Sequence, residues 1–186
     1  MPPRPRAAER RRRPSPLPLS VTPPALVVLV GAAGSGKTTL ARRLFAPRDV
    51  LSSDEFRRVV SGDPGNQAVT RTAFSILHRE VIRRLAAGRL VVVDATNVER
   101  HARLALVRRA MAAGAPAHAV VLALPDGVVH ARNAARAERV VDAAIVQRHL
   151  ATLRATLEVG GLDAEGFTTV QVLRSDRDVE ALLLGG

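Results

Sequence analysis

Apolar residues arrive along this chain in two alternating rhythms, short unbroken runs and longer stretches with helical spacing, and the alternation starts at Ala25. Ala25 to Val30 is apolar at every position, as a central strand covered on both faces requires. Comparable runs recur at Val50 to Ser53, Leu90 to Asp94, Ala117 to Leu124 and Thr168 to Leu173. Between them the spacing predicts a helix from near Lys37 to just before Pro47, then a helical turn holding Asp54 and Arg57. A long helix is expected from about Gln67 to Ala87, where Phe74, Leu77, Val81 and Leu85 share a face. Further helices are expected at 99 to 113, about 126 to 138, 142 to 157, and after the last strand. Gly88 and Gly114 end helices, and Gly62-Asp63-Pro64-Gly65-Asn66 breaks the chain. Strand and helix taking turns in this way predict an α/β fold with a five-stranded parallel sheet between helical layers.

The 186 residues suit one domain with a substantial core, and no internal repeat divides them. Residues 1 to 24 stand apart: they hold six arginines against one glutamate and eight of the twelve prolines, without apolar periodicity. They read as a disordered basic arm ahead of a domain spanning 25 to 186. An arginine run followed by apolar residues also suggests an export signal. Here, however, the apolar stretch leads straight into glycines that belong to the domain, and a proline-rich spacer separates it from the arginines. The net charge is +11, of which the arm carries +5, so the body alone stays basic enough to favour a polyanionic partner. Solubility or an arginine-rich coding bias would produce the same balance. With no cysteine, disulfides and thiolate metal sites are excluded, and a cytoplasmic location is expected. No run approaches eighteen apolar residues, so no membrane partner is expected. Oligomeric state leaves no mark in the sequence.

Gly31-Ala32-Ala33-Gly34-Ser35-Gly36-Lys37-Thr38 fits G-x-x-x-x-G-K-[ST] and lies between a buried strand and a helix, the context a phosphate-binding loop requires. Glycines let successive N–H groups converge on phosphates, and the helix N-terminus adds its dipole. Lys37 would reach the β- and γ-phosphates of ATP, and Thr38 would ligate Mg²⁺; Thr39 completes the expected nucleotide contacts. Lys37 is the only lysine among 28 basic residues. A compact ammonium is kept where arginine's broad fork does not fit. The fold expected is therefore the three-layer P-loop kinase type, with a helical lid at about 126 to 142.

Three further groups surround that loop in sequence. Asp54 and Arg57, in Ser52-Ser53-Asp54-Glu55-Phe56-Arg57, share a helix face just after the second strand. A carboxylate there can accept a hydroxyl proton while the arginine holds a phosphate. Alternatively, Ser52 and Glu55 form a capping box and Asp54 only favours the positive helix end. Asp94 ends a buried strand and is expected to organise Mg²⁺ with Thr38, or else to cap a turn; Thr96 and Asn97 contact substrate or shape that turn. Arg132, Asn133, Arg136 and Arg139 fall in one segment, and its arginines line a stripe that suits a lid closing on polyphosphate. A solvated arginine face paired with Glu138 is the plainer alternative.

Taken together, these motifs resemble the polynucleotide 5′-kinases, and in particular the kinase module of bacterial polynucleotide kinase-phosphatase RNA-repair enzymes. The resemblance covers about Leu26 to Leu173. It implies an ATP- and Mg²⁺-dependent transfer to 5′-hydroxyl ends of RNA or DNA, with Asp54 as general base and Arg57 on the phosphate of the terminal nucleotide. It also implies that Arg132, Arg136 and Arg139 act on the ATP phosphates. Two departures stand out. The phosphatase and ligase modules of those enzymes are absent from this sequence, and with no Tyr, no Trp and four Phe it offers little surface for stacking bases. Other readings of the same residues are a kinase for a nucleoside, sugar or antibiotic, and an ATP-binding accessory protein without catalysis.

Overall fold

The computed structural model describes residues 17–62, 70–137 and 140–185. The described residues begin with β1 (Leu17–Ser20), β2 (Ala25–Val30), α1 (Lys37–Leu44), β3 (Val50–Ser52), α2 (Ser53–Ser61) and α3 (Thr70–Ala86). It continues through β4 (Leu90–Asp94), α4 (Arg100–Ala112), β5 (Ala117–Leu122), α5 (Asp126–Ala134) and α6 (Ala143–Glu158). A 3-10 turn (Asp163–Glu165), β6 (Thr169–Leu173), α7 (Asp176–Ala181) and β7 (Leu182–Gly185) complete it.

Five strands form one parallel sheet in the order β3-β4-β2-β5-β6. The expected α/β fold with a five-stranded parallel sheet is thus present. β2 is central and buried at all six positions, which explains why its sequence lacks polar alternation. From β2 the chain leaves toward one edge, to β3, and from β5 toward the other, to β6. The loops therefore diverge above the carboxyl ends of these neighbouring strands, and that divergence opens the crevice in which such folds bind ligands.

The two faces of β2 build different cores. Leu26, Val28 and Val30 pack with Leu77, Val81 and Leu85 of α3 and Leu106 and Ala110 of α4. Val27 and Leu29 pack instead with Leu40, Ala41 and Phe45, together with Leu19 and Leu182. A third cluster joins Ala32 and Ala33 of the loop after β2 to Val129 of α5 and to Val146 and Leu150 of α6.

Three expectations need correction. The segment given to a disordered arm, residues 1 to 24, includes β1, which pairs in parallel with β7 from Leu17↔Leu182 to Ser20↔Gly185. Burial of Leu19 and Leu182 against the second core face holds this ladder, and Arg43 donates to the carbonyls of Val179 and Leu182. Residues 1 to 16 lie outside the described residues. The expected terminal helix lasts only from Asp176 to Ala181 before β7 takes over. Finally, α5 stops at Ala134 rather than continuing to 138. The buried Asn133 side chain donates to the Val141 carbonyl at 2.7 Å and accepts from the Val141 amide at 3.2 Å, tying the chain back on itself. The expected break at Asp63 to Asn66 and the start of α3 at Gln67 lie outside the described residues.

Candidate active site

The loop between β2 and α1 takes its shape from backbone conformations that side chains resist. Gly34 (φ 86°) and Gly36 (φ 95°) are left-handed, and Gly36 is the N-cap of α1. A Cβ on Gly34 would also lie 2.5 Å from the Val129 carbonyl oxygen, so the loop rests directly on the backbone of α5. Lys37 Nζ donates to the carbonyls of Gly31 and Ala32, each at 2.8 Å, and to Ser35 Oγ at 3.4 Å. Burial lowers the Lys37 pKa to about 8, against the opposing charge of Asp94. The positive N-terminus of α1 and the ammonium thus converge on one point, where a polyphosphate fits.

Asp94 reaches the loop because β4 lies beside β2, in register with Leu29 opposite Asp94. Its Oδ2 accepts from Thr38 Oγ1 at 2.7 Å. Burial raises the Asp94 pKa, while the Thr38 hydrogen bond and the Lys37 charge pull it down. Two adjacent oxygen donors, one anionic, suit a hard cation such as Mg²⁺, which typically keeps water and substrate oxygens for its remaining positions.

A cleft of about 630 Å³ opens over this loop. Its wall includes Ala33, Gly34, Gly36, Lys37, Thr38 and Thr39 from the donor side, with Asp94 and Thr96. Asp54 and Arg57 meet it from α2, and Arg132 and Arg136 from the α5 segment. Gly31, Ala32 and Ser35 stand behind the wall and hold Lys37 instead. Arg57 and Asp54 form an ion pair; the arginine side chain is 8% exposed and the carboxylate 43%. Ser52 is the N-cap of α2 without a side-chain cap bond, and Glu55 lies 3.7 Å from Arg58, so the alternative capping box does not form. Arg132 pairs with Asp176 of α7 at 2.7 Å at the cleft edge. Arg136 follows the end of α5, so the arginines do not share one helical stripe, yet its charge acts on Lys37. Arg139 and Glu138 lie outside the described residues.

A family model described as an AAA domain (AAA_33) matches residues 26–159, which contain the loop, Asp54, Asp94 and the α5 segment. The chain belongs to this family. No curated protein matches it. Among solved structures, it is similar to a chain of the Pnkp1/Rnl/Hen1 RNA repair complex, at 25% identity and a TM-score of 0.65 over 74% of this chain and 46% of that one. It thus spans less than half of that relative. The resemblance carried by the motifs holds on both counts. A gluconokinase from Sinorhizobium meliloti 1021 shares the fold at 19% identity and a TM-score of 0.53, over 85% of this chain and 91% of that one. So does Kti12 from Chaetomium thermophilum in complex with ADP-AlF3, at 19% and 0.59, over 83% and 93%. The fold is that of a P-loop kinase, a nucleotide-binding frame.

In this AAA-domain chain Asn97 shapes the turn after β4. It is 3% exposed, has φ 47°, and donates to the Leu29 carbonyl at 2.8 Å. Beneath it lies a pair that the sequence does not announce. Arg103, fully buried, makes two 2.7 Å bonds to Glu165 and donates to the Asn97 and Val98 carbonyls at 3.1 and 2.6 Å. Phe74, Ile145, Arg148 and His149 also line the cleft, beyond the residues expected from motifs. Burial, aided by the charges of Lys37 and Arg148, lowers the His149 pKa and favours its neutral form. The available signal is that Ile145, Arg148 and His149 are three and four apart on α6, on a face that flanks the core stripe of Val146, Leu150 and Leu153. Among the described residues no helix is long and apolar enough to cross a membrane.

Proposed function

We propose that this chain transfers the γ-phosphate of ATP to the 5′-hydroxyl end of an RNA or DNA strand. The observation that carries the reading is the Asp54–Arg57 pair in the same cleft as Lys37 and the Thr38–Asp94 pair. A hydroxyl acceptor needs a base within hydrogen-bond reach, and a half-open carboxylate on the first turn of α2 meets that need. Arg57 beside it offers a planar fork for phosphate. A 5′ strand end presents those two groups together, a hydroxyl and the phosphate of the same nucleotide.

In this mechanism Asp54 takes the hydroxyl proton as the acceptor oxygen bonds to phosphorus and the bond to the β–γ bridging oxygen breaks, leaving ADP. Lys37, Arg132 and Arg136 neutralise charge on the transferring group. Thr38 and Asp94 would hold Mg²⁺, which would supply charge neutralisation for the polyphosphate. A kinase for a small neutral hydroxyl needs no phosphate contact beside its base.

Labelled ATP, Mg²⁺ and a panel of 5′-hydroxyl RNA and DNA oligonucleotides test the proposal, with gluconate and nucleosides as competing acceptors. Label is expected on the oligonucleotides and to be removable by a 5′-phosphatase. Transfer to the small acceptors alone would replace the reading with that of a small-molecule kinase.

A further inference from the structure

Helix α3 carries two stripes. Ala73, Leu77, Val81 and Leu85, four residues apart, are buried in the core. Arg71, Phe74, His78 and Ile82 follow a second line, with Arg79 beside it, and this line faces a groove of about 320 Å³ whose far wall includes Arg109 of α4. Among the described residues no acidic side chain lines the groove. Glu80, on the same helix, is engaged elsewhere by Arg83 at 2.7 Å and Arg84 at 2.6 Å. Phe74 belongs to both the groove and the active-site cleft, so the two spaces adjoin at its ring.

We infer that this groove is the track along which the acceptor strand leaves the active site, as a single-stranded nucleic acid held by its phosphates and by the Phe74–His78 ring pair. The inference rests on the polynucleotide reading of the cleft and assigns the strand a path. Arg71 and Arg79 are exposed and lie eight residues apart, about 12 Å along a helix, a span longer than the distance between neighbouring phosphates of a stacked strand. Arg109 adds a third guanidinium to the groove wall, opposite the two on α3. The Phe74 and His78 rings meet edge to face at 6.2 Å and 80°. Burial and the Arg109 charge lower the His78 pKa to about 4, so at neutral pH the imidazole is uncharged and serves as a stacking surface. In a chain with four phenylalanines and no other large aromatic, this ring pair beside the cleft answers the shortage of stacking surface in the sequence.

The test is the double charge reversal Arg71→Glu/Arg79→Glu, on exposed positions of α3. Without these two arginine–phosphate interactions, kcat/KM for an acceptor of about 12 nucleotides, relative to a 3′-phosphorylated mononucleoside, should fall by about tenfold at moderate salt. The salt dependence of strand binding, followed by fluorescence anisotropy of a labelled oligonucleotide, should become shallower by about 1.4 in log–log slope. An unchanged slope, or equal losses on long and short acceptors, overturns the track. If the wild-type chain phosphorylates no 5′-hydroxyl strand, the functional reading fails. The anisotropy comparison still decides the groove: weakened, less salt-dependent binding by the variant upholds it, and identical binding overturns it.

Discussion

The Arg103–Glu165 pair under the β4 turn and the Arg57–Asp54 pair in the cleft contain the same two functional groups in opposite surroundings. In the first, both side chains are fully buried, the contact is bidentate, and the remaining guanidinium donor is spent on the carbonyls of Asn97 and Val98. In the second, the arginine is nearly buried while the carboxylate is 43% exposed and faces the space a substrate would enter. A pair closed on all sides is a strut, because any rearrangement strands a charge in low dielectric. A pair open on one side keeps its geometry and still leaves an oxygen within reach of an incoming group. Arginine–carboxylate chemistry therefore acquires its role from solvent access.

Breaking each pair should separate stability from turnover. Glu165→Ala leaves a buried guanidinium uncompensated and should cost about 3–5 kcal/mol, read from the midpoint of urea unfolding. If the variant does not accumulate, Arg103→Met/Glu165→Leu should restore folding in part, since the Asn97 and Val98 carbonyls stay unpaired. Full stability of Glu165→Ala would remove the strut from the comparison. Asp54→Asn keeps the size of the open partner and should lower turnover by about 10²-fold or more, with ATP affinity intact. Unchanged turnover would return Asp54 to a structural role.

Lys37, buried at the phosphate loop within the field of Asp94, is a third charged group, and pH reads it. Burial holds the Lys37 pKa at about 8 against an ordinary value of 10.5, so the folded chain binds this proton less tightly than the unfolded chain. The stability cost of the buried ammonium is fully present below about pH 8 and is relieved as pH rises toward 10.5. Nucleotide affinity runs the other way. It should hold below pH 8 and fall by up to about tenfold per unit above it, as the lysine loses its proton. Calorimetric titration of ADP across that range measures this directly, and a flat profile would place the Lys37 proton outside binding.

The donor half of the site is legible in the sequence because its determinants are local. A buried strand, two left-handed glycines and a lysine within eight residues fix both the loop and its chemistry, and β4 brings Asp94 alongside. What escapes depends on distant partners. Arg103 on a helix reads as solvated until Glu165, 62 positions away, closes over it. Leu17–Ser20 follows an arginine- and proline-rich run and becomes a strand only because Leu182–Gly185 lies beside it. The arginine stripe fails at Arg136 for a similar reason, since Asn133 bonds forward to Val141 and ends the helix. The path along α3 is half visible: Phe74 has the spacing of a core residue, yet it is only partly buried and opens onto both cleft and groove.

Gly34 occupies a position that the phosphate-loop pattern leaves unspecified, one of the four x positions between its first and last glycine. Its backbone contact with α5 withdraws that latitude, because even a methyl group would wedge against the Val129 carbonyl. The loop and α5 therefore share a single contact surface. An alteration in one must be matched in the other, and a variable site in the generic motif becomes in this chain a fixed seat for the phosphate loop on α5.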